Sequence, residues 1–143
     1  MQQTVISQDQ ETTLSDGSAT TITFDTVTHD EISSVTPDVS NDKLTITTLQ
    51  ESKIYFIFLT AGVAEPQGEP LSDGDELRFG YTYNGNRTQL GGTTVHNDGS
   101  LLVFSTMSPL IVADGMDYKM EFSGIISRDL AITDARFGIG IVD

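Results

Sequence analysis

Lys53-Ile54-Tyr55-Phe56-Ile57-Phe58-Leu59-Thr60-Ala61-Gly62-Val63 gathers more large β-forming side chains than any other stretch of this chain. Such residues fit a pleated, packed surface, and a short apolar run rich in them reads as a core strand rather than a helix segment. Successive side chains alternate across a strand, so Ile54, Phe56 and Phe58 fall on one face and Tyr55, Ile57 and Leu59 on the other. Both faces are apolar, so both should be covered. In an antiparallel protein, one then lies in a sandwich core and the other beneath a second layer or another subunit. The stretch predicts a central strand and points toward assembly.

The flanking sequence has the same character. Residues 43–49 form the preceding strand, with Leu44 and Ile46 inward, and Gln50-Glu51-Ser52 turns the chain. After Val63, residues 64–75 are the longest Pro/Gly-rich passage, a surface loop of the kind that carries contacts. Residues 76–83 read as a strand. Asn84-Gly85 is a two-residue hairpin signal, because a type I′ turn needs positive φ at both central positions. Residues 87–90, a Gly91-Gly92 break, residues 93–96 and a turn at Asn97-Asp98-Gly99 follow. Residues 100–107 read as a buried strand ended by Pro109, and residues 110–112 as a short one. Residues 117–124 alternate in the manner of a half-buried strand, and residues 136–142 close the chain. Upstream, residues 21–27 alternate polar and apolar, His29-Asp30-Glu31 breaks the pattern, and residues 32–35 form a short strand. About eight to ten short strands without an amphipathic helix predict an all-β antiparallel sandwich of the jelly-roll type.

Residues 1–18 carry only Val5, Ile6 and Leu14 as scattered apolar positions among Gln, Thr, Ser and acids. They read either as a first edge strand or frayed tail, or as an arm whose Val5, Ile6 and Leu14 dock on a partner. The domain organisation expected is an arm over 1–18 and a jelly-roll domain over 19–143.

Composition narrows the function. With 21 Asp+Glu against 7 Lys+Arg the formal charge is −14. Direct binding to nucleic acid or an anionic membrane surface is disfavoured, since both rely on cations facing phosphates. Solubility accounts for much of this charge, and a saline environment is the sharper reading. The absence of Cys removes disulfides and thiolate metal sites. No apolar run reaches the roughly 20 residues that span a bilayer, and the first ten residues lack the basic and apolar regions of a signal peptide. Taking Met1 as the start, the product is expected to be made in the cytoplasm.

No catalytic motif stands out. The two histidines, His29 and His96, fall in polar loops without a Gly-x-Ser-x-Gly elbow, and phosphate, dinucleotide and zinc-helix signatures are missing. Asp73-Gly74-Asp75-Glu76 and Asn97-Asp98-Gly99 are candidate Ca²⁺ loops that also serve as plain turns; neither has EF-hand spacing. Asn86-Arg87-Thr88 is a glycosylation sequon at a hairpin tip, without a secretory signal to use it. No cofactor is expected, and an enzyme is not.

The order of landmarks resembles the tumour-necrosis-factor-like jelly roll, specifically its complement globular-head branch. The resemblance rests on Ile22-Thr23-Phe24, then residues 43–49, then Ile54-Tyr55-Phe56. Toward the end it rests on Val112-Ala113-Asp114-Gly115-Met116-Asp117-Tyr118 and Phe137-Gly138-Ile139-Gly140-Ile141-Val142-Asp143. It spans residues 19–143. The resemblance implies a compact homotrimer packed around a threefold axis, which would place Tyr55, Ile57, Leu59, Phe137 and Ile139 at the subunit interface. A freestanding head of this type, lacking stalk and anchor, is expected to be a virion component. It would be a capsid decoration, cement, spike or fibre-head protein of a tailed virus, located on the virion surface and bound to the major capsid or another shell protein. The alternative is a carbohydrate- or protein-binding head module, with Tyr81 or Tyr83 as stacking platforms.

Overall fold

The computed structural model describes residues 1–95, 101–110 and 112–142. In chain order the strands are β1 (Gln2–Ser7), β2 (Thr12–Leu14), β3 (Thr20–Thr21), β4 (Thr26–Asp30), β5 (Val35–Asp38) and β6 (Lys43–Ile46). They continue with β7 (Ile54–Ala64), β8 (Glu76–Tyr83), β9 (Asn86–Thr94), β10 (Leu101–Pro109), β11 (Met116–Ile125) and β12 (Leu130–Val142). One 3-10 turn, Val39–Asn41, lies between β5 and β6.

Two antiparallel sheets result. The first runs β10-β7-β12-β1-β4, with β2 beside the start of β12; the second runs β5-β6-β11-β8-β9, with β3 on β11. Chain order and sheet order differ because β7 to β8, β9 to β10 and β11 to β12 each cross between sheets, the connectivity of a jelly roll. Inward side chains from both sheets make one core, including Phe79, Tyr81, Tyr118 and Phe122 from one and Ile57, Leu59, Phe137 and Ile139 from the other. Phe104 leans from β10 across the open side to stack on Phe79 at 4.2 Å, and Phe24 meets Phe137 at 5.8 Å.

The alternating stretch 21–27 is not one strand. β3 pairs with β11 in the second sheet and β4 with β1 in the first, so the chain changes sheet between them. Ile22 and Phe24 stay buried through the crossing, and the Ile22 and Phe24 amides are satisfied by the Met120 carbonyl and the Asp42 carboxylate. The alternation thus reports burial correctly, whereas the pairing is broken. Conversely, β9 continues through Gly91-Gly92, where a break was expected. Gly91 leaves room for the Phe104 ring, and a Cβ on Gly92 would come within 2.6 Å of the Leu77 carbonyl oxygen. β10 is an edge strand with alternating exposure rather than a buried one. Leu110 and Val112 lie outside any strand; Ile111, His96 and the turn Asn97-Asp98-Gly99 fall outside the described residues.

The division at residue 18 is corrected by the structure. β1 is an interior strand of the first sheet, paired with β12 from Gln2↔Ile141 to Ser7↔Arg136 and with β4 on its other side. Val5, Ile6 and Leu14 are all buried, Ile6 and Leu14 completely. Residues 1–18 therefore form part of the sandwich and leave no arm for a shell. The low apolar content misled because an interior strand needs only alternate inward positions filled, here by Thr4 and Ile6.

Registers also orient the two ends. Gln2↔Ile141 and Val142↔Ile54 put the chain's first and last described strands side by side at one end. The Asn84-Gly85 hairpin lies at this same end, tied to Asp117 by two hydrogen bonds of 3.1 and 3.3 Å. The 64–75 loop leaves from the far end of β7, so it and the hairpin stand at opposite ends of the sandwich.

Candidate assembly face

Tyr55, Ile57 and Leu59 point into the core, at most 3% exposed, as do Phe137 and Ile139. All five residues expected at a subunit interface are consumed within one chain. The alternation was read correctly and the faces were assigned the wrong way round, which in a strand shifts every side chain to the opposite surface. The outward residues of β7 are Ile54, Phe56, Phe58 and Thr60.

A bulge decides which residues of β12 join them. Pairing of β12 with β7 slips between Thr133 and Arg136, with Asp134 in left-handed backbone (φ 52°). Before the bulge Leu130 and Ile132 are buried; after it the inward set is Ala135, Phe137, Ile139 and Ile141. One extra residue thus changes the parity of the strand. Gln8 fixes it by donating its backbone N–H to the Ala135 carbonyl and accepting the Ala135 N–H on Oε1, both at 3.1 Å. Gly138 and Gly140 then face outward, opposite Phe58 and Phe56.

Those two glycines shape the face. A Cβ on Gly138 would overlap the Phe58 ring, so the ring lies flat against the strand. A Cβ on Gly140 would come within 2.7 Å of the Met1 sulfur, so Met1 lies over that position. Val5, opposite Gly138 on β1, is on the same face and buried. β10 extends the surface with Met107 beside Phe58 and Pro109 beside Phe56, then Val103 and Leu101 farther along. Ile54, Leu101, Val103 and Met107 are 52–66% exposed. Thr60, hydrogen-bonded to Ser105 at 3.3 Å, and Arg136 form a polar row across the middle.

Charge is absent from this surface to an unusual degree. β1, β7 and β10 contain no charged residue, β12 contains only Asp134 and Arg136, and the edge strand β4 only Asp30, in a chain with 28 charged groups. Aromatic and Met side chains without Lys, Glu or Asp are the composition of an interface core. The second sheet carries more charge, and six of these side chains form pairs. Lys43 bonds Asp117 at 3.0 Å, Arg78 meets Glu76 at 3.3 Å and Arg87 meets Glu121 at 3.3 Å. A hydrogen bond from Thr45, and then Lys43, hold the Asp117 carboxyl below the usual aspartate range despite partial burial.

Other candidate sites do not gather. Among the described residues no group of three His, Asp or Glu side chains is placed to hold a metal ion. In the first Ca²⁺ loop, the Asp75 carboxylate accepts from the Ser127 amide and hydroxyl at 3.3 and 3.4 Å, which ties the loop before β8 to the turn after β11. His29 is exposed at the end of β4. Tyr81 is 1% exposed and Tyr83 is packed against the core, so neither is a stacking platform for sugars. Phe56, Phe58, Gly138, Gly140 and Arg136 were missed as outward-facing positions. The detectable signal was the pair of glycines at two-residue spacing in a stretch, residues 136–142, without an acid.

No family model and no curated protein sequence matches the chain. Solved structures do. Murine APRIL superposes with a TM-score of 0.62 at 9% identity, covering 98% of both chains. The globular domain of zebrafish complement 1qA does so at 0.57 and 16% identity, covering 100% of this chain and 98% of that one. Vertex protein P5 of phage PRD1 gives 0.54 at 9% identity, covering 98% and 97%. With its two-sheet topology and these likenesses over nearly its whole length, the chain has the tumour-necrosis-factor-like jelly-roll fold.

Proposed function

We propose that this chain is a structural virion protein, a homotrimeric head that decorates or caps the shell of a tailed virus. The observation that carries the reading is the outer face of the first sheet, where β1, β7 and β10 bear no charge, Met107 and Val103 are exposed and Phe56 and Phe58 are half-buried in a single copy. An apolar face of this composition on an otherwise acidic chain is a surface to be covered by protein. The implied threefold assembly of the resembled fold supplies the covering, and the likeness to a phage vertex protein supports the virion setting. The head acts by binding and stabilising, with no catalytic step. The shell contact belongs to the folded head, because the N-terminal segment is part of the sandwich. With the first and last described strands adjacent at one end, the 64–75 loop stands at the other and is the part presented outward.

The test is to mix the purified protein with shells of the encoding virus that lack it and to sediment them at several salt concentrations. Co-sedimentation at a fixed ratio to the shell protein is expected. No binding at any salt contradicts the virion role. The carbohydrate-binding alternative loses its aromatic platform with the burial of Tyr81.

A further inference from the structure

The turn between β8 and β9 sets a side-chain carboxamide beside an unhindered backbone nitrogen. Asn84 and Gly85 hold left-handed backbone at φ 48° and 87°, and both are exposed. No atom beyond its chain neighbours stands within 4 Å of where a Gly85 Cβ would be. Asn84 Oδ1 accepts the Asp117 N–H at 3.1 Å, and the Asn84 N–H donates to the Asp117 carbonyl at 3.3 Å. Among the described residues the Gly85 N–H has no acceptor. The Asp-Gly turns differ. The Gly74 N–H donates to the Val95 carbonyl at 2.8 Å and the Gly115 N–H to the Ile46 carbonyl at 2.7 Å. Gly74, Gly115 and Gly17 each follow an Asp, whose carboxylate lacks an amine to expel. The other described asparagines differ too. Asn41 donates its amide nitrogen to the Asp38 carboxylate at 2.9 Å, and Asn41 and Asn86 precede Asp42 and Arg87, whose side chains crowd the next nitrogen.

We propose that Asn84 is a site of spontaneous covalent modification in the folded protein, closing on Gly85 to a succinimide that opens to aspartate or isoaspartate. The Gly85 nitrogen forms a bond to Asn84 Cγ and gives up its proton, and the Cγ–Nδ2 bond breaks as ammonia leaves. Water then adds to one of the two ring carbonyls and opens the ring. The Asp117 N–H lies against the oxygen on which negative charge gathers as the nitrogen attacks, the placement that stabilises a tetrahedral intermediate. Either product takes the net charge from −14 to −15. Isoaspartate also lengthens the main chain by a carbon inside a two-residue turn that closes the Tyr83↔Asn86 pair.

The test incubates the purified full chain and G85A at mildly alkaline pH, folded and in concentrated urea. Peptide mass mapping follows Asn41, Asn84 and Asn86, isoaspartyl methyltransferase labelling identifies the isoaspartate, and circular dichroism establishes that the chain without urea stays folded. In the folded wild type Asn84 should convert first, at no less than about a tenth of its rate in urea, whereas a shielded turn would react only through rare local opening. In urea, where turn strain plays no part, G85A should slow conversion at position 84 by about tenfold or more, because the added Cβ hinders the attacking nitrogen. Folded Asn84 that converts below a tenth of the urea rate, or after Asn41 or Asn86, overturns the proposal. A G85A rate in urea equal to that of wild type overturns the cyclic route, and the proposal with it.

Discussion

Gln8 joins what the sequence separates. Its side chain is 4% exposed and fully used, with Nε2 donating to Thr12 Oγ1 at 3.2 Å and to the Thr23 carbonyl at 3.0 Å while Oε1 takes the Ala135 N–H. Q8A would leave the Ala135 amide and the Thr23 carbonyl without these partners in the interior. A loss of about 3 kcal/mol of unfolding free energy is expected, readable as a lower urea midpoint. A surface glutamine would cost almost nothing. Asp117 gives a pH signature of its own. Its folded-state pKa is lowered, chiefly by the Thr45 hydroxyl, so its contribution is fully present above the unfolded value of 3.8 and is lost as pH falls through the folded value. The side chain is 41% exposed, which keeps that contribution near the surface-pair range of up to about 1 kcal/mol. D117N should therefore be less stable than wild type at pH 7, and the difference should close below pH 3.8. A difference constant from pH 7 to pH 2 would show that the charge is not what stabilises the site.

At the scale of elements, the N-terminal strand distinguishes an arm from a core component most sharply. β1 fills the space between β12 and β4, so removing residues 1–18 strips both strands of a partner and uncovers the Phe137 and Ile139 layer. The shortened chain should fail to give a cooperative thermal transition, whereas an intact transition would restore the arm. The strands with strong alternation or paired turn signals were legible: β7, β8 with the Asn84-Gly85 hairpin at φ 48° and 87°, β11, and β12 from Arg136 onward but not its first six residues. Alternation records that two faces differ in neighbours, but on β7 both faces are apolar and it cannot tell which is inward. That choice is made by register with β12, and the register depends on the bulge at Asp134, which leaves no hydrophobic signal. β1 was obscured for a related reason. Its inward positions include a buried Thr4, whose hydroxyl accepts from the Ile32 amide, and its outward Val5 is covered beside Gly138.

At the scale of the whole molecule, the chain is two surfaces on one core. The second sheet and the ends carry the acids, several tied into turns by hydrogen bonds, as where the Glu65 carboxylate accepts the Gln67 and Glu69 amides at 3.0 and 2.7 Å. The outer face of the first sheet carries aromatics, Met, two glycines over which the Phe58 ring and Met1 lie, and Arg136. Mutual repulsion between copies at −14 each opposes association and is screened by salt, whereas burial of the apolar face is not weakened by it. Such a molecule should be assembled at ordinary ionic strength and stay so at molar salt. The deciding measurement is the mass of the purified full chain by light scattering at low and at molar salt. Three copies of 15.5 kDa, about 47 kDa at both, is the expected result. A 15.5 kDa monomer at both would contradict it and leave Phe56, Phe58 and Met107 as an apolar surface exposed to water.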